Sequence, residues 1–208
     1  MIYTGSPASH LPGLAAVAKE RLRANWRCLY LNRPSVVAEM RSNLSDAGVA
    51  VAQEIGRGAL ILSSDSNHLQ NGRFDVERML DMLSQVAEQT VNLGYTGLWA
   101  TGDMSWEFGE EKDFSKLLEY EYALDRMFER YPQLSGICQY HADMLPADAV
   151  QWGLCTHRSV YINEAVSQEN PHYSPASLLT YRRLADPLPL SSTKMYARPL
   201  QPAEVAYS

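Results

Sequence analysis

Lysine is scarce in this chain. Lys19, Lys112, Lys116 and Lys194 are the only ones in 208 residues, and none lies at the first strand–helix junction. A phosphate-binding P-loop needs glycines for close backbone approach, then a lysine and a hydroxyl residue for the phosphates and Mg²⁺. The junction reads Thr4-Gly5-Ser6-Pro7-Ala8-Ser9-His10, with neither the lysine nor a second glycine. Ordinary ATP hydrolysis is therefore not expected, although an anion held without hydrolysis at the helix start stays open. Clustered basic charge is missing too. Net charge is −6, with Arg182-Arg183 the basic pair near the end, and the pI is near 5.4. A nucleic-acid surface needs grouped Lys and Arg to displace counterions, so direct nucleic-acid binding is not expected. No run approaches the roughly 18 apolar residues that span a bilayer. The start, MIYTGSPASH, has no charged-then-apolar signal-peptide pattern. The three cysteines, Cys28, Cys138 and Cys155, are odd in number and far apart, which gives no disulfide framework and fits a reducing cytoplasm. For nucleophilic catalysis there is no G-x-S-x-G elbow, and Cys155 with His157 reads as an inert loop pair.

What is present is an ordinary globular composition, 46% hydrophobic and 20% charged, at a length that suits one α/β domain. Residues 1–5 form a short apolar start. Pro12 opens a helix with Leu14, Ala15, Val17, Ala18 and Leu22 at helical spacing. Residues 27–31 (RCLYL) form a strand. After Pro34 comes a helix with Val36, Val37, Met40 and Leu44 inward and Gly48 as its stop. Residues 59–62 form a third strand, and 66–73 a loop. Asp75 caps a helix whose stripe is Val76, Met79, Leu80, Leu83, Val86, Ala87 and Val91, and Gly94 closes it. Residues 97–108 (GLWATGDMSWEF) begin as a buried strand and end in polar and aromatic residues. A helix from Asp113 turns Phe114, Leu117, Leu118, Leu124 and Phe128 inward and stops at Pro132. Residues 134–140 are a strand, 146–154 a short helix and 159–162 a last strand. Beyond Glu164 the pattern dissolves, and six of the eleven prolines lie there, as in an extended tail. Five or more strand–helix alternations with continuous apolar strands predict a three-layer α/β/α fold with a mostly parallel central sheet. The expected organisation is a domain over 1–165 and a tail over 166–208.

In such a sheet, ligands bind beyond the carboxyl ends of the strands. That rule nominates Ser64 and Asp65, Arg73, then Thr101, Asp103, Trp106 and Glu107, and, if the next strand is adjacent, Tyr140, His141 and Asp143. Asp103 reads either as a ligand-contacting acid or as a carboxylate capping nearby N–H groups. Trp106 and Phe108 line an apolar pocket or anchor the core, and Trp99, mid-strand, reads as core. Arg73 pairs with an anionic ligand or with a neighbouring aspartate. His141 with the nearby carboxylates has metal-binding chemistry. Cys138, three residues before it, falls on the other strand face, so C-x-x-H is a weak signal, and no resident metal or cofactor is expected.

The motifs GLWATGDMSWEFG, SGICQYHADMLP and YINE, in this order, resemble the MEDS domain. That is the sensory domain of methanogen and methylotroph regulators and histidine kinases, named after the dichloromethane regulator. The likeness covers residues 1–173. It implies a RecA/KaiC-like fold of the degenerate P-loop NTPase type, which matches the missing lysine, and a role in sensing small organic compounds such as hydrocarbon derivatives. Family members begin earlier with a fuller first strand, so this start reads as shortened. The output partner implied is a separate signalling protein, a histidine kinase or a transcription regulator. Two other readings stand beside this one. One is a degenerate nucleotide- or metal-dependent hydrolase using Asp103, Glu107 and His141. The other is an interaction module whose tail (Tyr173, Leu178, Leu179, Tyr181, Leu184) docks on a partner or a second copy.

Overall fold

The structure, a computed structural model, describes residues 1–109, 113–162, 165–167 and 170–173. Its elements run β1 (Ile2–Tyr3), α1 (Leu11–Arg23), β2 (Arg27–Leu31), α2 (Pro34–Asp46), α3 (Val51–Gly56), β3 (Leu60–Ser63), β4 (Leu69–Gln70), β5 (Arg73–Phe74), α4 (Val76–Asn92), β6 (Leu98–Asp103), α5 (Met104–Glu107), α6 (Leu117–Arg130), β7 (Leu134–His141), α7 (Ala147–Thr156), β8 (Val160–Ile162) and β9 (Ala165–Ser167). Among the described residues the main sheet has seven strands in the order β3-β2-β6-β7-β1-β8-β9. Every pairing is parallel except β8 with β9. The first strand thus sits beside β7, with Tyr3 opposite His141, far along the chain from its sequence neighbours.

Helices cover both faces, as parallel strands require. Leu29, Leu31, Leu98, Cys138 and Tyr140 pack with residues of α4, α6 and α7. Cys28, Tyr30, Leu60 and Trp99 pack with α1, α2 and α3. The fold is therefore the three-layer α/β/α arrangement, and Trp99, 3% exposed, is core. Local chemistry sets the element limits. Asp75 accepts the Arg78 N–H at 3.0 Å and caps α4, and Gly94 ends that helix with φ of 79°. Pro34 occupies the first turn of α2, where its missing N–H costs nothing.

The structure departs from the sequence reading in three places. Residues 66–73 are not a plain loop: Leu69–Gln70 pairs antiparallel with Arg73–Phe74. Asn71 and Gly72, with φ of 52° and 78°, make the turn between them. Two left-handed residues in a two-residue loop are what a type I′ hairpin demands, and Asn-Gly is its sequence mark. Helix α3 is a further addition. Thirdly, the sheet continues past residue 164 into β9, and Asn170 is buried beyond it. The apolar tail residues proposed for docking, Leu178 to Leu184, lie outside the described residues.

No described helix is long and apolar enough to cross a membrane. At the centre of the sheet Gly136 pairs with Ala100, and a Cβ on Gly136 would overlap the Ala100 carbonyl oxygen. Gly136→Ala is expected to force β6 and β7 apart and cost about 3 kcal/mol. Urea unfolding checks this as a lower midpoint at unchanged m-value.

Candidate functional site

Alternation along each strand sends successive side chains to opposite faces, and β6 and β7 carry polar residues to both. On the face toward α1, three groups of hydrogen bonds occupy the strand ends. Asp103 is fully buried. Its Oδ1 accepts the Ser105 N–H at 2.8 Å and the Ser105 hydroxyl at 2.5 Å, which starts α5. Its Oδ2 accepts the Tyr3 hydroxyl at 2.6 Å. Burial and the Asp103 charge push the Tyr3 phenol far above its ordinary pKa, so it stays a donor. Gln139 donates to Thr101 Oγ1 at 2.8 Å, and its Oε1 lies 3.1 Å from His10 Nε2. Thr101 in turn donates to the Ile137 carbonyl. His141 Nε2 lies 2.7 Å from the Gly5 carbonyl, which can only accept, and the Gly5 N–H donates to Asp143 at 2.7 Å. The backbone that would face a phosphate in a P-loop is therefore engaged by Asp143 and His141. The arrangement clasps β1 onto the sheet.

The face toward α4, α6 and α7 is different. A small apolar cavity of about 30 Å³ lies there, with Leu31, Leu83, Ala100, Met104 and Phe128 among its lining. One carboxyl intrudes, that of Glu107, which is 2% exposed. Its Oε2 has no hydrogen-bond partner among the described residues. Desolvation first, then the negative charges of Glu121 and Asp103, hold it well above the usual carboxylate range, which favours its uncharged form. Gly102 makes room for it, since a Cβ there would overlap Glu107 Oε1.

Beside this cavity stands a second group. Glu121 of α6 is 3% exposed and accepts a short hydrogen bond from the Tyr140 hydroxyl. Its Oε2 lies 3.5 Å from His157 Nε2. His157 Nδ1 lies 2.7 Å from the Gly153 carbonyl. Because a carbonyl only accepts, Nδ1 carries the hydrogen, and Nε2 faces Glu121. Cys138 completes the group, with one ligand atom of each residue within 4.8 Å of the others. Burial, then the charges of Glu121 and Glu107, raise the Cys138 thiol well above its ordinary pKa.

The ten residues nominated from sequence do not form one site. Thr101, Asp103, His141 and Asp143 belong to the clasp, while Tyr140 and Glu107 serve the opposite face. Consequently Asp103, Glu107 and His141 do not make up a metal-ligand cluster. Trp106 packs against His68 with ring centres 5.2 Å apart. Phe108 is fully buried and stacked on Phe74 at 4.2 Å, so both aromatics pack beneath the hairpin. Arg73 is exposed on β5. Ser64 and Asp65 follow edge strand β3, which β2 separates from β6. The sequence reading missed Glu121 and the orientation of His157. A signal for Glu121 exists: it interrupts the inward stripe of Leu117, Leu124 and Phe128 at helical spacing, where a carboxylate needs a partner. His157 has no such local mark.

The family model of the MEDS domain, "MEthanogen/methylotroph, DcmR Sensory domain", matches residues 1–158. No curated protein matches the chain.

Tyr3→Phe removes one donor from a buried carboxylate and is expected to cost about 1.5–3 kcal/mol. Denaturant unfolding beside the wild type measures it, and a change below 0.5 kcal/mol, roughly a surface-substitution effect, would refute the clasp. Glu107 gives a pH signature. Its folded pKa is raised, so above the unfolded value near 4.5 the folded state holds a proton that the unfolded state has lost. Stability must then fall as pH rises through that window, by up to about 1.36 kcal/mol per unit for this group. Glu107→Gln is expected to flatten the fall between pH 5 and 8, read from melting or urea midpoints.

Proposed function

Since this chain belongs to the MEDS family, we propose that it is a sensory domain that binds a small, largely apolar organic molecule and passes the signal to a protein partner. The observation that carries the reading is the cavity between β6, β7 and helices α4 and α6. It is lined mainly by aliphatic and aromatic side chains, with Thr101 and Cys138 among them, and holds the buried Glu107 carboxyl. Its volume of about 30 Å³ exceeds the roughly 10–15 Å³ that a single water occupies. A ligand of a few non-hydrogen atoms matches that size, which favours one-carbon or halogenated one-carbon compounds over larger ones. Glu107, protonated and short of a partner, would donate to a carbonyl, hydroxyl or halogen of the guest. The favourable terms are burial of apolar ligand surface and satisfaction of one costly polar group.

This reading moves the ligand from the strand ends to the opposite face of the sheet. At the strand ends, Thr101, Asp103 and Gln139 already have protein partners, while the Nδ1 atoms of His10 and His141 are buried without one. A guest between α4 and α6 would shift the packing of two helices, which is a route by which occupancy becomes readable from outside. The recipient, on this reading, is a histidine kinase or transcription regulator that contacts the domain as a protein. The charge of −6 argues against direct contact with nucleic acid.

The experiment is a thermal-melt titration with dichloromethane, chloromethane, methanol and formamide, repeated on Ala100→Val, which fills the cavity. Binding at 100 times Kd should stabilise the wild type by about 2.7 kcal/mol, and the variant should lose the response. If no compound shifts the midpoint, or if Ala100→Val responds like the wild type, the cavity is not the ligand site.

A further inference from the structure

We propose that Glu121, Cys138 and His157 bind one divalent metal ion of the zinc kind, with the remaining coordination position turned toward the cavity beside α6. The three side chains come from three elements, α6, β7 and the end of α7, and their ligand atoms all lie within 4.8 Å of one another. They are the one set of three or more such side chains among the described residues. The donor set is a thiol, an imidazole and a carboxylate. Thiolate and imidazole select Zn²⁺ and its first-row neighbours over Mg²⁺ and Ca²⁺, which prefer oxygen alone.

The geometry is preset rather than accidental. The 3.5 Å between His157 Nε2 and Glu121 Oε2 is close to the roughly 3.3–3.4 Å that separates two ligand atoms each about 2.0–2.1 Å from a tetrahedral zinc. Two of the three ligands, His157 and Glu121, also have the outer partner that metal ligands need. The Gly153 carbonyl takes the Nδ1 hydrogen of His157 and leaves Nε2 as the free lone pair. The Tyr140 hydroxyl donates to the other oxygen of Glu121. Gly153 has no Cβ, and one would overlap the Tyr140 ring, so the same residue orients the imidazole and admits the tyrosine. Asn170 then ties down the turn that carries His157, donating to the carbonyls of Leu154 and His157.

Three protein ligands leave a fourth position open, the pattern of zinc sites that bind an exchangeable group. Glu121 and His157 line a cavity of about 340 Å³ between α6 and the end of α7, which gives that position access to solutes. The Co²⁺ thiolate band reads the metal and the response to organic compounds reads the apolar cavity, so the two readings fail separately.

The test uses the full chain, stripped with chelator and then titrated with Zn²⁺ or Co²⁺. The expected result is one ion per chain, a raised melting temperature, and a thiolate-to-cobalt charge-transfer band in the Co²⁺ form. Cys138→Ser should abolish that band. His157→Gln, at a side chain 25% exposed and tolerant of change, should weaken Zn²⁺ binding at least 100-fold while remaining folded by circular dichroism. No stoichiometric ion, a Co²⁺ spectrum without the thiolate band, or unchanged affinity in His157→Gln would overturn the site and leave a simple Glu121–His157 ion pair.

Discussion

Strand β7 lies between β6 and β1, and its two-residue alternation governs the chemistry of both faces. Cys138 and Tyr140 turn toward α6 and α7, while Gln139 and His141 turn toward α1. Four consecutive residues are thereby divided between two environments. On one face the neighbours supply donors and acceptors to Asp103, Thr101 and Gln139, with the Nδ1 atoms of His10 and His141 left unpartnered. On the other they are leucine, methionine and phenylalanine, with two glutamates set among them. The pleat thus turns one sequence motif into two sites, and a one-residue slip of β7 would exchange their contents.

Three buried carboxyls mark the difference. Asp103, Glu121 and Glu107 are all at most 3% exposed, so each loses nearly all of its hydration. Asp103 recovers it through three protein donors, two from Ser105 and one from Tyr3, and such a carboxylate works as mortar. Glu121 recovers part of it, from the Tyr140 hydroxyl and the imidazole beside it. Glu107 keeps one oxygen unpartnered, and burial favours its uncharged form. Desolvation that goes uncompensated is destabilising, so a fold retains it where something else gains.

The division explains what could be read from the chain beforehand. Helices α1, α2 and α4 were legible because period 3.6, caps and glycine stops are local. The apolar runs of β2, β6 and β7 announced a parallel sheet for the same reason. Strand order was not legible: β1 is two residues long and pairs with β7 across more than 130 positions. The Asn71-Gly72 hairpin was written in the sequence as plainly as any cap, yet its two-residue strands are too short for the alternation test. The strand-end rule nominated residues by their place along the strand, and that coordinate says nothing of which face they point to.

The same limit bears on how family likeness should be used. The MEDS match covers residues 1–158 and so spans both faces; it supplies a role without choosing between them. Glu107 of α5 stands in apolar surroundings, and Glu121 of α6, Cys138 of β7 and His157 converge nearby. A neutral acid suits an uncharged guest, and three lone-pair donors suit a cation, so these adjoining places differ in what they would hold. Leu124 and Phe128 line both cavities, so a change in occupancy of one would press on residues that wall the other. Coupling of that kind needs no long pathway, only two side chains that cannot move independently.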